Sequence, residues 1–196
     1  MEHALLMTGI GGQGVQLAAQ LLARAAIAEG REVQLFGSYG GMMRGGNTDT
    51  TLVIGDQPIE APPTTDRAWA AIVMHPEFAP PTLARVRPGG LVFANSSVVP
   101  LPLNDGDDGF EVVPLPATDL AVDAGNILVA AMVMIGAFAR ATALVSLASL
   151  VDAVPAALPS YRDQHVELNR RALTLGAEHA PAGLAPVWAI TAEAPA

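Results

Sequence analysis

Six residues near the N-terminus restrict what this chain can fold into more than any other stretch. Gly9-Ile10-Gly11-Gly12-Gln13-Gly14 matches G-x-G-x-x-G, with Ala4–Thr8 before it and Gln13–Glu29 overlapping its end. Ala4–Thr8 is short and apolar, which predicts a buried strand. In Gln13–Glu29 the apolar residues Val15, Leu17, Ala18, Leu21, Leu22 and Ala25 recur at helical spacing, and Gly30 stands where a C-cap belongs. A strand, a glycine turn and a helix N-terminus in that order open an α/β fold. Three readings of the glycines are compatible with this context. They could serve close helix–strand packing only, a phosphate or other anion at the helix N-terminus, or a complete nicotinamide dinucleotide site. The last also wants an acid about 20 residues on, at the end of the second strand. Here that strand, Glu32–Phe36, runs into Gly37, and Glu32 lies at its start.

The pattern continues in the same style. Thr48–Ile54 is threonine-rich and β-branched and reads as a third strand, followed by a turn at Gly55-Asp56-Gln57-Pro58. Ala71–Met74 reads as a fourth strand ending at His75-Pro76. A short helix over 77–86 is interrupted by Pro80-Pro81, and Gly89-Gly90 turns into a fifth strand, Leu91–Ala94. A polar loop over 100–110 leads to a last short strand, Glu111–Pro114. Helices are predicted over 118–139, 146–158 and 161–178. The expected fold is α/β, a three-layer Rossmann-like domain with a mostly parallel, partly mixed sheet and C-terminal helices. Residues 1–180 form the domain, and 181–196, with three prolines, are expected to be a loosely held tail.

Composition narrows the chemistry. The 196 residues are 51% hydrophobic and only 15% charged, against about a quarter charged in an average domain. Such an apolar surplus points to burial against other chains. Net charge is −9, which repels phosphate backbones and argues against nucleic-acid binding. All ten basic residues are arginine, so Schiff-base lysines and the P-loop lysine are excluded. There is no cysteine, which excludes disulfides, thiolate metal sites and cysteine-ligated iron–sulfur clusters within the chain and agrees with a cytoplasmic setting. The start MEHALLM has an acid where a signal peptide would have a basic region. The uncharged stretch 124–139 (AGNILVAAMVMIGAFA) falls short of the roughly 20 residues that cross a bilayer, so it reads as a buried helix.

Few other residues suggest catalysis. His3, His75, His165 and His179 have no tight ligand spacing, and His75 reads as a strand-end residue bonded locally. Ser96-Ser97 lacks a nucleophile-elbow pattern and reads as a turn or cap, and Asp105, Asp107 and Asp108 read as a solvated loop. The second notable feature is the loop 37–47 (GSYGGMMRGGN), with five glycines and one arginine. So much glycine costs backbone entropy, which suits a close approach to a ligand or another chain. Arg44 fits bidentate contact with phosphate or carboxylate, or is a plain surface arginine. Loops at the carboxyl ends of the first two strands lie close in an open sheet, so the two glycine loops could form one surface.

These residues carry a resemblance. G-x-G-G-Q-G at 9–14, S-Y-G-x-x-M-R-G-G at 38–46 and the strand ending Asp56-Gln57-Pro58-Ile59 resemble the gamma subunit of 2-oxoacid:ferredoxin oxidoreductases. That family covers pyruvate, 2-ketoisovalerate, 2-oxoglutarate and indolepyruvate enzymes. The similarity runs on through Pro116-Ala117-Thr118, Gly125-Asn126, Met132–Gly136 and Asn169-Arg170-Arg171-Ala172, near Gly176. Gly41 and Met42 stand where the family often has proline or alanine and then glutamate, and Ala131 where it often has asparagine. The resemblance implies a complex that decarboxylates a 2-oxoacid on thiamine diphosphate, passes electrons through iron–sulfur clusters and forms acyl-coenzyme A. It implies alpha, beta and ferredoxin-like partner subunits, no membrane, and no activity in the isolated chain. It assigns this chain to assembly and to the border of the coenzyme A region. The residues it singles out are Gly9, Gly11, Gly12, Gln13, Gly14, Ser38, Tyr39, Gly40, Arg44, Gly45 and Gly46, with no catalytic or metal residue. Two rivals remain: a free-standing NAD(P)- or FAD-binding oxidoreductase, and a scaffold that binds no small molecule.

Overall fold

The computed structural model describes residues 1–39, 45–60, 62–103, 109–158, 160–182, 184 and 186–188. Glu2–Ile10 (β1) carries the run Leu5-Leu6-Met7, buried on both faces as a central strand requires. It is followed by α1 (Val15–Ala28), β2 (Glu32–Tyr39), β3 (Asn47–Gly55) and β4 (Ala68–Val73). A 3-10 turn and the short α2 (Ala79–Leu83) lead into β5 (Val86–Asn95), and β6 (Glu111–Leu115) closes the sheet. The strand order is β2-β3-β1-β4-β5-β6. β1, β4, β5 and β6 run parallel, while β3 is antiparallel to both β1 and β2. The sheet is therefore mostly parallel and partly mixed, as expected.

Alternation along the strands separates two cores. Leu5, Met7, Ile72 and Phe93 face a large cluster built with α1 and the C-terminal helices. Leu6, Ala71, Val73 and Val92 face a smaller cluster with Ala79 of α2 and with Val99. Helices thus lie on both sides of the sheet, unequally. The C-terminal helices are α3 (Ala117–Asp123), α4 (Ala130–Thr142), α5 (Leu147–Ala157) and α6 (Val166–Glu178). α4 is buried nearly all round, which is why its sequence resembles a membrane span. Among the described residues no helix is long and apolar enough to cross a membrane. Where α4 crosses α6, a Cβ on Gly136 would strike the Leu173 carbonyl oxygen, and one on Gly176 the Val133 carbonyl oxygen. These two glycines let the helix backbones touch.

Several element boundaries differ from the sequence reading, among them the helix expected over 161–178, which is α-helical only from Val166 after a 3-10 stretch, and the fourth strand, which begins at Ala68. The helix expected over 118–139 is two helices. Gly125 is left-handed, Asn126 is extended, and its side chain caps a 3-10 turn through the Leu128 N–H at 2.9 Å, so the chain restarts before α4. β5 begins at Val86, and the glycines lie inside it. The β4 partner jumps from Val86 to Leu91 across Ala68–Ala70, so Arg87–Gly90 bulge from the ladder. The helix expected over 77–86 is correspondingly shorter, with both prolines accommodated in α2. Residues 37–39, expected in a loop, extend β2, because β3 pairs with it up to Tyr39↔Thr48. Within the tail, Val187 N–H bonds the Thr142 carbonyl at 2.8 Å and Trp188 Nε1–H bonds the Leu144 carbonyl at 2.9 Å. Those two residues are pinned to the loop after α4.

Candidate functional site

The glycine motif sits where the chain leaves β1 for α1. Gly9 is there for close approach: a Cβ would lie 2.7 Å from Gln13 Oε1, 2.8 Å from Val15 Cγ2 and 3.1 Å from Met74 Cβ. Gly12 and Gly14 have φ of 108° and 79°. Gly14 is the N-cap of α1, and among the described residues no side chain caps it. Beyond it, the position of a Gly14 Cβ is 3.8 Å from the Leu128 carbonyl oxygen and 3.6 Å from Ala131 Cβ. The 127–129 turn and the start of α4 therefore abut the N-terminus of α1.

Most of the loop's polar groups are spent within the chain. Ile10 N–H donates to Gln13 Oε1 at 2.9 Å, and Gln13 Nε2 donates to the Met74 carbonyl at 3.0 Å. Gln13 N–H donates to the Ile10 carbonyl at 3.1 Å. In doubly wound sheets the crevice outside the strand ends, where connections switch faces, is the usual ligand position. Here α1 covers one face and the β4–α2–β5 crossover the other, so that point lies between β1 and β4. The Gln13 amide spans it, tying the turn after β1 to the end of β4.

The two glycine loops do meet. Gly11 N–H donates to the Gly46 carbonyl at 2.9 Å, and a Cβ on Gly11 would lie 3.4 Å from Gly45 N. Gly45 and Gly46 thus join Gly9, Gly11, Gly12, Gln13 and Gly14 in one surface. Ser38 and Tyr39 end β2 beside it. Gly40 and Arg44 lie outside the described residues, as do residues 41–43 between them. Among the described atoms no hydrogen bond uses the N–H of Gly12 or of Gly14.

Sequence reasoning passed over a polar cluster under this surface. Thr8, fully buried, donates its hydroxyl to Asp49 Oδ1 at 2.7 Å, and Asn47 Nδ2 donates to Asp49 Oδ2 at 2.7 Å. Gln16 Nε2 donates to the Asp49 carbonyl at 3.1 Å, its amide lying where a Gly37 side chain would go. The signal was one acid inside an otherwise threonine-rich and aliphatic strand, NTDTTLVIG. The cluster locks β1, β3 and α1 together just below the glycine loops.

An apolar knuckle adjoins the same surface. Ile127 and Leu128 are exposed, Leu128 at 65%, and Val122 of α3 is exposed nearby in sequence. Beside them Leu17, Asn126, Leu128, Val129, His165 and Asn169 help line a hollow of about 260 Å³. A larger hollow of about 650 Å³, lined by Arg140, Leu147, Glu178 and Leu184, is built from other elements, α4 to α6 and the tail. His75 does what a strand-end histidine does: its Nδ1 accepts from Glu77 N–H at 3.3 Å. Among the described residues no three His, Asp or Glu side chains group as metal ligands.

Dinucleotide chemistry lacks two parts here. β3 occupies the place beside β1 where the Rossmann unit has its second parallel strand, so β2 lies two strands away. Glu32 is at the opposite end of β2 from the glycine loop, paired with Gly55.

Comparisons with known proteins agree with this geometry. A match to the family described as pyruvate ferredoxin/flavodoxin oxidoreductase spans residues 4–179. The chain is 32% identical over 163 residues to the 2-oxoglutarate synthase subunit KorC of Methanothermobacter thermautotrophicus, covering 81% of this chain and 86% of that one. It also superposes on the gamma subunit of a keto/oxoacid ferredoxin oxidoreductase from Geobacter sulfurreducens, with TM-score 0.75, 28% identity, and coverage of 91% and 98%. The same fold occurs within the longer 2-oxoglutarate:ferredoxin oxidoreductase chain of Magnetococcus marinus, with TM-score 0.82 and 16% identity. That match covers 94% of this chain and 32% of the other.

Proposed function

The chain belongs to the pyruvate ferredoxin/flavodoxin oxidoreductase family, and on that premise we propose that it is the gamma-type subunit of a 2-oxoacid:acceptor oxidoreductase complex. Its part is assembly, with the glycine loops and the Ile127–Leu128 knuckle facing the chains that carry the chemistry. The observation that carries this reading is the state of the switch-point crevice. Gln13 fills it, and the amides of Ile10, Gly11 and Gln13 are already bonded, while an apolar knuckle stands exposed beside them. A surface built so suits contact with protein better than enclosure of a small molecule.

The cofactors of such a complex fit this chain unequally. Iron–sulfur clusters need thiolates that this chain does not have. Thiamine diphosphate and coenzyme A bring pyrophosphates, which call for free N–H groups and cations. The groups here that could border a phosphate are the N–H groups of Gly12, Gly14 and the first turn of α1. In this reading they face the coenzyme A approach from the side while partner subunits hold the reacting groups. Decarboxylation, electron transfer and acyl transfer are then the work of alpha, beta and ferredoxin-like chains, in the cytoplasm, and the isolated chain is inactive.

The test is purification of the tagged chain from its native cell, followed by mass spectrometry and a visible spectrum. Alpha and beta partners, a brown iron–sulfur spectrum and releasable thiamine diphosphate are expected. A colourless, solitary protein would overturn the reading. Leu128→Asp then probes the surface: it should abolish partner recovery and leave the melting temperature of the chain unchanged, because the side chain is already exposed.

A further inference from the structure

The hollow beside the knuckle combines apolar walls with polar groups that have spare bonding capacity. Its walls are Leu17 of α1, Leu128 of the knuckle, Leu158 at the end of α5 and Leu168 of α6. Among the described residues neither an arginine nor a carboxylate lines it, in a chain of net charge −9. At about 260 Å³ it is smaller than the roughly 300–1,000 Å³ of sites that enclose a drug-sized ligand.

Three polar side chains line it, and bonds inside the chain fix two of them. Asn169 lies one turn after His165 and donates from Nδ2 to the His165 carbonyl at 2.8 Å. That bond settles which way the amide points. The residue is only 7% exposed, yet among the described residues its Oδ1 accepts no hydrogen bond. That oxygen is not sealed from solvent either, so its small opening is into the hollow that Asn169 lines. Asn126 is fixed in the opposite sense. Its Oδ1 accepts from Leu128 N–H at 2.9 Å, and its Nδ2 has no partner among the described residues. The partly buried His165 ring likewise has none. Apolar walls around a few fixed polar groups are the ordinary make-up of a small-ligand site. The polar groups decide what fits. A carboxylate or phosphate finds no guanidinium here, and a cation finds no carboxylate. A purely apolar group would cover Asn169 Oδ1 without replacing its water.

We propose that this hollow binds an uncharged ring carrying one O–H or N–H donor, the ring among the leucines and the donor on Asn169 Oδ1. The chemistry is that of a phenol, free or as the side chain of a tyrosine or tryptophan in another subunit. Neither the glycine loops nor a partner chain enters the argument, so the inference stands or falls apart from the subunit assignment.

Titration of the full chain with p-cresol, followed through the histidine ring protons by NMR, tests it. The chain has four histidines, and the signals of His165 alone should move, saturably, with a Kd of about 1 mM. Toluene, which lacks the donor, should bind roughly ten-fold more weakly. This contrast is made on the unaltered chain and needs no variant to fold. Asn169→Leu should erase the preference for p-cresol, and Leu168→Trp, filling the hollow, should abolish binding of both. A phenol bearing a diazirine then separates the two sources. Labelling of 126–129 and 165–169 in the assembled complex marks a site open to a free ligand. Loss of that labelling on assembly, with a photoreactive residue in place of Leu168 cross-linked to a neighbouring subunit's tyrosine or tryptophan, marks that side chain as the ligand. Cross-linking to a segment with neither residue overturns the proposal. So do equal affinities for p-cresol and toluene, and so does movement of all four histidines together, or of none up to about 10 mM p-cresol.

Discussion

β1 is held at its two ends by opposite chemistries. At its carboxyl end the turn is stitched by polar groups: Gln13 to Ile10 and Met74, Gly11 to Gly46, and Thr8 to Asp49. At its amino end the clamp is aromatic. His3 is 6% exposed, and its ring meets Trp69 edge-on at 5.1 Å and Trp188 at 4.7 Å. Arg31 covers the outer face of Trp188 at 3.9 Å, and the stack continues through Trp69 to Phe138 and Phe93. Among the described residues neither ring nitrogen of His3 has a hydrogen-bond partner. The first end is announced by a glycine motif; the second is announced by nothing local. Conspicuous glycines mark where backbone must be close, whereas burial at the other end depends on residues 66 and 185 positions further along the chain.

Substitutions should separate the two clamps. The largest effect is expected from Gly9→Val, whose branched side chain has no space between Gln13, Val15 and Met74. A loss of about 3 kcal/mol in denaturant unfolding is expected. A neutral result would show that the turn yields and that the stitching is slack. Trp188→Ala should come next, at about 2 kcal/mol, by removing the cover of His3 and the bond to the Leu144 carbonyl. It should also raise protease cleavage near 187 without touching partner recovery.

The aromatic end should respond to mild acid. Burial holds the His3 imidazole at about 4, helped by Arg87, the N-terminal ammonium and Arg31 and opposed by Asp56. An unfolded histidine titrates near 6.5. Between these values the unfolded chain binds more protons, so stability is full above pH 6.5 and falls as pH drops toward 4. The loss should reach about 3 kcal/mol. His3→Phe should flatten this slope; an unchanged slope would place the titration elsewhere. The smallest effect, about 1 kcal/mol, is expected of Gln13→Ala, which removes the side-chain partner of Ile10 N–H and of the Met74 carbonyl. If Gln13→Ala also opens the crevice, binding of a dinucleotide by the variant and not by the parent would sharpen the contrast between a filled and an empty switch point.

Much of this was legible beforehand, for identifiable reasons. Six strands and the long first helix follow from apolar runs and helical spacing, because those periods depend on local geometry. Contact between the glycine loops was expected from neighbouring ends of the first two strands, but it arises because β3, which follows the second loop, pairs with β1. The Asp49 cluster was not legible, since its partners Thr8 and Asn47 meet it only through register across β1 and β3. The break at 124–129 escaped because apolar composition masked a capping asparagine. The bulge at Arg87–Gly90 was read as a turn because glycine pairs mark both.

By itself the sequence determined the α/β class, the family resemblance and the excluded chemistries, since these rest on residue types and short spacings. Only the tertiary structure decided that an antiparallel β3 separates β1 from β2, and that Gln13 occupies the switch point. It alone buried a histidine between two tryptophans and left β2 as an open edge. Each of those depends on which distant segments become neighbours, a long-range property that no local pattern encodes.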